Sequence, residues 1–437
     1  MSVRPIATGA DLFALARAFP ERYPHLLESA LIGQAPARFS ILFAFPGHTV
    51  TGDGREVMRY LDRIGAFETL QGEREHAELP FLGGWFLYLG YELAWTLEPA
   101  LGACAPDPWL PPALVTAFPA ALIVDHQERR TYFVDESGDP ARWEQVCRDL
   151  EDMPAWQPAT WPVLAVEEDP AEEYLRAVRR ALRYIRDGDC FQANLSREWR
   201  VHSPGPLAAG SLYQRLREAN PAPFAAWLRL PGVEIVSSSP ERLVSVRDGV
   251  AETRPIAGTR RRDPDGAKDQ ALWNDLKVNA KEQAEHVMLV DLERNDLGRV
   301  ARVGTVRVAD LMTIESYRRV HHIVSSVQAQ LREGSTPGDL IRATFPGGTI
   351  TGCPKIRSMQ IIQELERHAP RGAYTGSCGF ISRHGVMDTN ILIRTMVSRG
   401  TEIRFRTGAG IVADSDPEAE LRETRHKARA LLEALQP

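Results

Sequence analysis

The chain has 437 residues, of which 43% are hydrophobic and 25% charged, with a formal net charge of −6. That length supports a large core and two or three lobes, and the composition is that of an ordinary soluble globular protein. The acidic balance and the lack of a basic tract argue against a nucleic-acid partner, and no apolar run reaches membrane-spanning length.

The first residues, Met1-Ser2-Val3-Arg4-Pro5, lack an apolar signal core. Cys104, Cys147, Cys190, Cys353 and Cys378 are odd in number and show no C-x-x-C spacing. They read as reduced thiols of a cytoplasmic protein, not as a disulfide framework or zinc site.

Residues 1–152 form a first region, in which Leu26-Leu27-Glu28-Ser29 reads as an amphipathic strand. Residues 153–162 hold Pro154, Pro158 and Pro162 with Trp156 and Trp161 between them. This is an extended connection whose indoles predict packing onto a surface. In residues 163–437, Asp169-Pro170-Ala171-Glu172 predicts a capped helix start, with Pro170 in the first turn and Glu172 completing a capping box. Tyr174, Val178, Leu182 and Ile185 continue it, and Gly188 stops it.

Residues 190–201 alternate like a strand, as do 232–236 and 403–407, and 391–395 read as a core strand carrying Arg394. A single long helix is predicted from Asp269 to Leu292, with Leu272, Leu276, Ala280, Ala284, Val287 and Met288 inward. Asp416-Pro417 opens the last helix, with Leu421, Ala428, Leu431, Leu432 and Leu435 apolar. Helices and strands mix without strict alternation, which predicts an α+β fold.

The two helices carry Glu282 with Glu285 and Glu420 with Glu423, each pair at i,i+3 and so on one helix face. A lone pair of this kind is ordinarily a solvated face. Two such helices face to face could hold a hard divalent cation on oxygen ligands, Mg²⁺ by usual choice. An arginine buried at position 394 would need an anion.

Three runs carry a family resemblance: Asp291-Leu292-Glu293-Arg294-Asn295-Asp296-Leu297-Gly298-Arg299-Val300, Phe345-Pro346-Gly347-Gly348-Thr349-Ile350-Thr351-Gly352-Cys353-Pro354-Lys355, and Gly408-Ala409-Gly410-Ile411-Val412-Ala413-Asp414-Ser415. They resemble the chorismate-binding enzymes: anthranilate, aminodeoxychorismate, isochorismate and salicylate synthases. The resemblance is strong over about residues 165–437 and weak before that. It implies two large stacked β-sheets surrounded by helices, and chorismate as substrate.

By resemblance, Mg²⁺ is ligated by Glu285 and Glu423, with Glu282 and Glu420 behind them touching bound water. Tyr374, Arg394 and Lys427 grip the second substrate carboxylate, and Arg394 suits that task by its planar fork. Gly408 and Gly410 let backbone N–H groups approach the substrate, and Thr349 joins them. Glu241, in Ser238-Ser239-Pro240-Glu241-Arg242, matches the proton donor to the departing hydroxyl. His322 matches a histidine near the ring edge, although by pattern alone it would be structural. Thr259 belongs to the catalytic group through the run Pro255-Ile256-Ala257-Gly258-Thr259.

Two positions sort the family. Water-using members carry a lysine base where this chain has Gln192, which favours ammonia as nucleophile. Aminodeoxychorismate synthases often carry a nucleophilic lysine where this chain has Ala257, and anthranilate synthases carry alanine. Against Ala257 stand Gln192-Ala193-Asn194-Leu195, His321-His322, Phe345 to Gly352, Asn220 to Ala226 and Met387-Asp388-Thr389, all closer to the aminodeoxychorismate branch. The resemblance therefore implies amination of chorismate to 4-amino-4-deoxychorismate, with anthranilate formation as the rival and a non-catalytic chorismate-binding subunit as a reading of another class. Gly376-Ser377-Cys378-Gly379-Phe380 lacks the final glycine of an amidotransferase elbow, so ammonia is expected from a separate glutaminase subunit. Leu26 to Ser29, with Ser40, resembles the tryptophan feedback site of anthranilate synthase and predicts a tryptophan-sized pocket.

Overall fold

The protein is described here by a computed structural model covering residues 1–6, 9–30, 38–67, 76–317 and 320–436. Two large antiparallel sheets stack on each other, with eleven α-helices among the described residues. The twelve-stranded sheet runs in the order Ser2–Ile6, Arg130–Asp135, Ala120–Asp125, Phe39–Ala44, His25–Glu28, Phe224–Leu230, Val233–Ser239, Thr395–Arg399, Glu402–Ile411, Gln192–His202 and Gly352–Cys353. Ala165–Glu168 pairs with the Gln192–His202 strand off this path. The ten-stranded sheet runs Ile256–Arg261, Val320–Gln330, Val250–Thr253, Arg242–Arg247, Met387–Asn390, Ser377–Ser382, Gly84–Leu89, Ala113–Phe118 and Thr49–Gly52, with Arg307–Ser316 also on Val320–Gln330. Residues before and after position 152 contribute strands to both sheets.

The layers close because each sheet is apolar on both faces. Phe43, Phe81, Phe86, Tyr88 and Phe118 fill the space between the sheets with Leu228 and Ile235. His25 stacks on Phe86 there at 4.0 Å between ring centroids. The outer face of the twelve-stranded sheet is covered by Leu12–Ala18, Ala209–Ala219 and Pro417–Ala434. The proline-rich connection packs as expected: Trp161 is buried and donates to the Leu435 carbonyl at 2.9 Å, and Trp156 meets Phe13 edge-on.

Four local expectations are corrected. Asp169 does not cap its helix. Its carboxylate accepts the Glu198 backbone N–H at 2.8 Å, and the helix Ala171–Arg186 starts after Pro170 without a side-chain cap. The long helix is two helices, Gly266–Val278 and Ala280–Gly298. Asn279 leaves helical geometry at φ −69°, ψ 105°, and its side chain caps the second helix at the Glu282 N–H. The inward face of that second helix is also not the aliphatic one. Ala280, Ala284 and Val287 are exposed, whereas Glu282 and Glu285 are half-buried and His286, Leu289, Glu293 and Asp296 are buried. Finally, the strand at Arg394 begins only at Thr395, and Arg394 itself has a positive φ of 51°.

Candidate active site

The site lies where the Gln192–His202 and Glu402–Ile411 strands meet the edge of the other sheet and two acidic helices. Antiparallel register sets Asn194 opposite Gly410 and Ser196 opposite Gly408. Gly408 needs its lack of a side chain: a Cβ there would stand 2.7 Å from the Tyr374 hydroxyl and 2.9 Å from Asn194 Oδ1. At Gly410 a Cβ would run into the Gln192 amide. Gln192 Oε1 and Asn194 Oδ1 are buried with no hydrogen-bond partner among the described residues. Two orphaned amide oxygens at a glycine cradle mark a place built to receive a polar ligand.

Glu241 sits in the turn between Val233–Ser239 and Arg242–Arg247, 7% exposed. The Thr349 hydroxyl donates to its Oε1 at 2.6 Å. Burial pushes the Glu241 carboxyl up to about 7, against the opposing pull of the Thr349 hydrogen bond and the Lys427 and Arg394 charges. Arg394, half-buried, has no side-chain hydrogen bond or ion pair among the described residues. Burial lowers its guanidinium from its usual value, and the Glu241 charge opposes that. Its φ is positive, and its carbonyl accepts a hydrogen bond from the Ser238 N–H at 3.1 Å.

His322 stands opposite Thr259, in a register broken by a bulge at Ala257 to Thr259 with Gly258 at φ 70°. Its Nδ1 pairs with the Thr259 hydroxyl at 2.9 Å. Burial, then the Arg394 charge, bring it down to about 4, so the imidazole is neutral at physiological pH. Ala257 is half-buried on the same strand and offers no nucleophile. Tyr374 is buried, its hydroxyl pushed up to about 12 by burial, so it stays a hydrogen-bonding phenol.

The four glutamates form one electrostatic neighbourhood. Glu285 is raised by burial, then opposed by Lys281 and further raised by Glu282, Glu420 and Glu423. Glu420 is raised by burial, with Glu423 adding to it. Among the described residues no three acidic, histidine or cysteine side chains form a ready-made metal cage. Glu282 is held by Arg260 at 2.9 Å and Glu423 by Lys427 at 2.7 Å. Lys427 also donates to the Gly408 carbonyl at 2.9 Å, tying the last helix to the glycine cradle. The donor set is all hard oxygen, and a divalent cation would relieve the burial and neighbouring charge that raise Glu285 and Glu420, so these residues fit Mg²⁺ in chemistry.

All fifteen residues expected in the site lie in this one region or on the elements that frame it. Three groups were not singled out from the sequence. The Tyr174 hydroxyl, read only as part of an apolar stripe, is buried without a partner among the described residues and feels Glu420, Tyr374 and Glu423. Glu366 is sandwiched between Arg371 at 2.6 Å and Arg406 at 3.3 Å, and its Oε1 accepts the Ser196 N–H at 2.7 Å. This buried charge network braces the strand that carries Asn194. The third, Glu293, sits two turns beyond Glu285, and its i+8 spacing was a legible signal that it shares the inward face. Elsewhere, a cavity of about 90 Å³ between the sheets is lined by Leu27, Glu28, Ser29, Phe39, Ile41 and Phe224 among others, at the segment likened to a tryptophan site.

The family model for chorismate binding enzyme matches residues 29–433. The chain is 44% identical to "Anthranilate synthase component I-like protein" of Synechocystis sp. over 82% of this chain and 74% of that one. It is 40% identical to "Aminodeoxychorismate synthase component 1" of Bacillus subtilis over 94% of this chain and 91% of that one. The crystal structure of anthranilate synthase component I from Streptococcus pneumoniae TIGR4 superposes with a TM-score of 0.79 at 31% identity, covering 92% of this chain and 93% of that one. The chain belongs to the chorismate-binding enzyme family and has the fold of its chorismate-utilising members.

Proposed function

We propose that this chain is the chorismate-aminating component of aminodeoxychorismate synthase, making 4-amino-4-deoxychorismate from chorismate and ammonia, for 4-aminobenzoate and folate. The observation that carries amination is Gln192: a buried amide whose oxygen has no partner among the described residues, at the glycine cradle, where a water-using enzyme needs a base. An amide cannot deprotonate water, but it can accept an N–H from ammonia, which brings its own lone pair. Asn194, also unpartnered beside Tyr374, and the relative named aminodeoxychorismate synthase support the branch.

Glu285 and Glu423 would hold Mg²⁺, with Glu282 and Glu420 behind them through water, and the bound ion would neutralise the ring carboxylate. Arg394, Tyr374 and Lys427 orient the second carboxylate, with Thr349 and the Gly408 and Gly410 backbone against the substrate. Glu241 gives its proton to the departing hydroxyl as the C–O bond breaks and water leaves. Neutral His322, steadied by Thr259, lies at the ring edge without adding charge. With alanine at 257 no enzyme amine adds to ring carbon 2. Ammonia adds there, and a second ammonia attacks carbon 4 and displaces the first.

Ammonia comes from a separate glutamine amidotransferase subunit. Cys378, the only cysteine near an elbow-like run, is a core residue whose thiol burial pushes up to about 12. All five cysteines are free, which fits a reducing cytoplasmic setting. Ala257 and the relative named anthranilate synthase component I-like favour a second reading, formation of anthranilate and pyruvate. A non-catalytic binding subunit fits less well, because it would not need a carboxylic acid kept protonatable at neutral pH.

The test uses the purified chain with chorismate and Mg²⁺. Chorismate should be consumed with ammonium, and with glutamine only after a glutaminase is added. Glutamine-dependent turnover by the chain alone, or no turnover with ammonium, would contradict the reading.

A further inference from the structure

The Tyr374 phenol and the Asn194 amide share the cradle at Gly408, yet they come from elements far apart in the chain. Asn194 lies on the Gln192–His202 strand, and Tyr374 on the turn that leads into Ser377–Ser382. One side chain touches both. Arg371 is buried, and its Nη2 donates to the Asn194 carbonyl at 2.7 Å. Its guanidinium carbon lies 5.6 Å from the centre of the Tyr374 ring and 4.8 Å from that of Tyr91. The Arg371 carbonyl also accepts the Tyr374 N–H at 3.0 Å, so both belong to one turn.

Arg371 is itself fixed from two sides. Glu366 accepts its Nε at 2.9 Å and its Nη2 at 2.6 Å, a bidentate pair, and Arg406 joins the same carboxylate at 3.3 Å. From the first 152 residues, the buried Glu92 carboxylate accepts the Arg371 N–H at 2.7 Å and the Gly372 N–H at 3.1 Å. Just past Tyr374, Thr375 holds a φ of 63° while its N–H bonds the Leu392 carbonyl at 2.8 Å. A buried ion pair contributes little net stability, because desolvation offsets its attraction. What the planar fork supplies is direction, since it fixes several acceptors at set angles. Burial raises the Tyr374 phenol, and the Arg371 charge is the first to oppose that, which favours the hydroxyl as a hydrogen-bond donor.

We propose that Arg371 is a positioning residue for the substrate grip, holding the Tyr374 phenol and the Asn194 backbone in one arrangement at the Gly408 cradle. It acts through Tyr374, behind the groups that meet the substrate. The grip on a substrate carboxylate is made in the ground state and kept in the transition state, so loosening it weakens binding more than it slows the chemistry. The kinetic consequence rests on the chorismate reading. The arrangement of the side chains does not.

The experiment compares the full chain with Arg371→Lys, Tyr374→Phe and the double variant, using chorismate, ammonium and Mg²⁺. Lysine keeps the charge and loses the fork. Arg371→Lys should raise KM for chorismate by roughly tenfold or more, with kcat within about threefold of the parent. In the Tyr374→Phe chain the same replacement should raise KM by a factor at least about threefold smaller, because its route of action is already gone. Equal factors in both backgrounds, or a loss confined to kcat, would show a merely structural role and overturn the proposal. If Arg371→Lys fails to fold, Glu92→Gln takes its place in the same cycle, with the same outcomes, since glutamine leaves one oxygen for the two N–H groups of the turn. The second arm is the crystal structure of the folded variant beside that of the parent, both without substrate. The Tyr374 hydroxyl should leave its place over Gly408, and an unmoved Tyr374 would overturn the proposal. A parent chain that does not turn over chorismate would contradict the functional reading alone, and the crystal structures would still decide the positioning.

Discussion

Glu241 becomes an acid through burial, and its neighbours hold it just short of being permanently neutral. Its carboxyl is pushed up to about 7. A raised carboxyl pKa leaves the proton-donating form present at lower pH and removes it as pH rises. At constant free ammonia, kcat/KM should therefore fall on an alkaline limb near pH 7. Glu241→Gln should lower kcat by about 10²–10⁴-fold, the usual range for a general acid, while the chain still binds chorismate. Near-normal kcat would move the proton donor elsewhere. Arg394 is the complementary case, a guanidinium without an ion-pair partner among the described residues. Arg394→Ala should cost ~1.5–3 kcal/mol of a charge-assisted contact, a loss of roughly 10- to 150-fold in kcat/KM for chorismate. Normal kinetics in a folded variant would mean that the substrate carboxylate is held by other groups.

At the scale of the element, the acidic helix shows what the sequence could and could not reveal. Its i,i+3 glutamates were legible, because helical spacing alone places Glu282 and Glu285 on one face. The direction of that face was not. An aliphatic stripe normally turns inward, but here Val287 is 53% exposed and the carboxylates turn toward the site. A functional face has displaced the ordinary hydrophobic one, which is where local rules are expected to fail. The break at Asn279 was missed for a related reason: asparagine inside a helical pattern reads as a weak interior residue until its side chain is seen capping Glu282. Asn279→Ala should cost ~1 kcal/mol in stability, read as a lower melting temperature. An unchanged melting temperature would show that tertiary contacts alone hold the helix start. The facing helices carry the metal prediction. Glu285→Gln or Glu423→Gln should abolish Mg²⁺-dependent turnover, and Glu282→Gln or Glu420→Gln should weaken it less. Equal, mild losses at all four would identify them as solvated helix faces.

For the whole molecule, the stacked sheets and the convergence of segments far apart in sequence were read from resemblance, not from periodicity. Alternation identified the strands at 190–201 and 403–407, yet nothing in either segment states that Asn194 would face Gly410. That register depends on pairing across more than two hundred residues, which local pattern cannot encode. The Arg371–Glu366–Arg406 network behind the glycine cradle was invisible for the same reason, since its members are ordinary charged residues until burial makes them a brace. The fold delivers Glu241, Gln192, Arg394 and the four glutamates to one place, and the branch of the family turns on a few side chains around them. By resemblance, Ala257 points toward anthranilate, and the run Gln192-Ala193-Asn194-Leu195 with four other matches toward retention of the enolpyruvyl group. The most direct measurement is product identification by mass spectrometry after incubating the chain with chorismate, ammonium and Mg²⁺. The product should be 4-amino-4-deoxychorismate with its enolpyruvyl group intact, preceded by a transient 2-amino intermediate and with no adduct on the protein, and it should yield 4-aminobenzoate once a lyase is added. Anthranilate and pyruvate as the dominant products would contradict the account and make Ala257 the deciding residue.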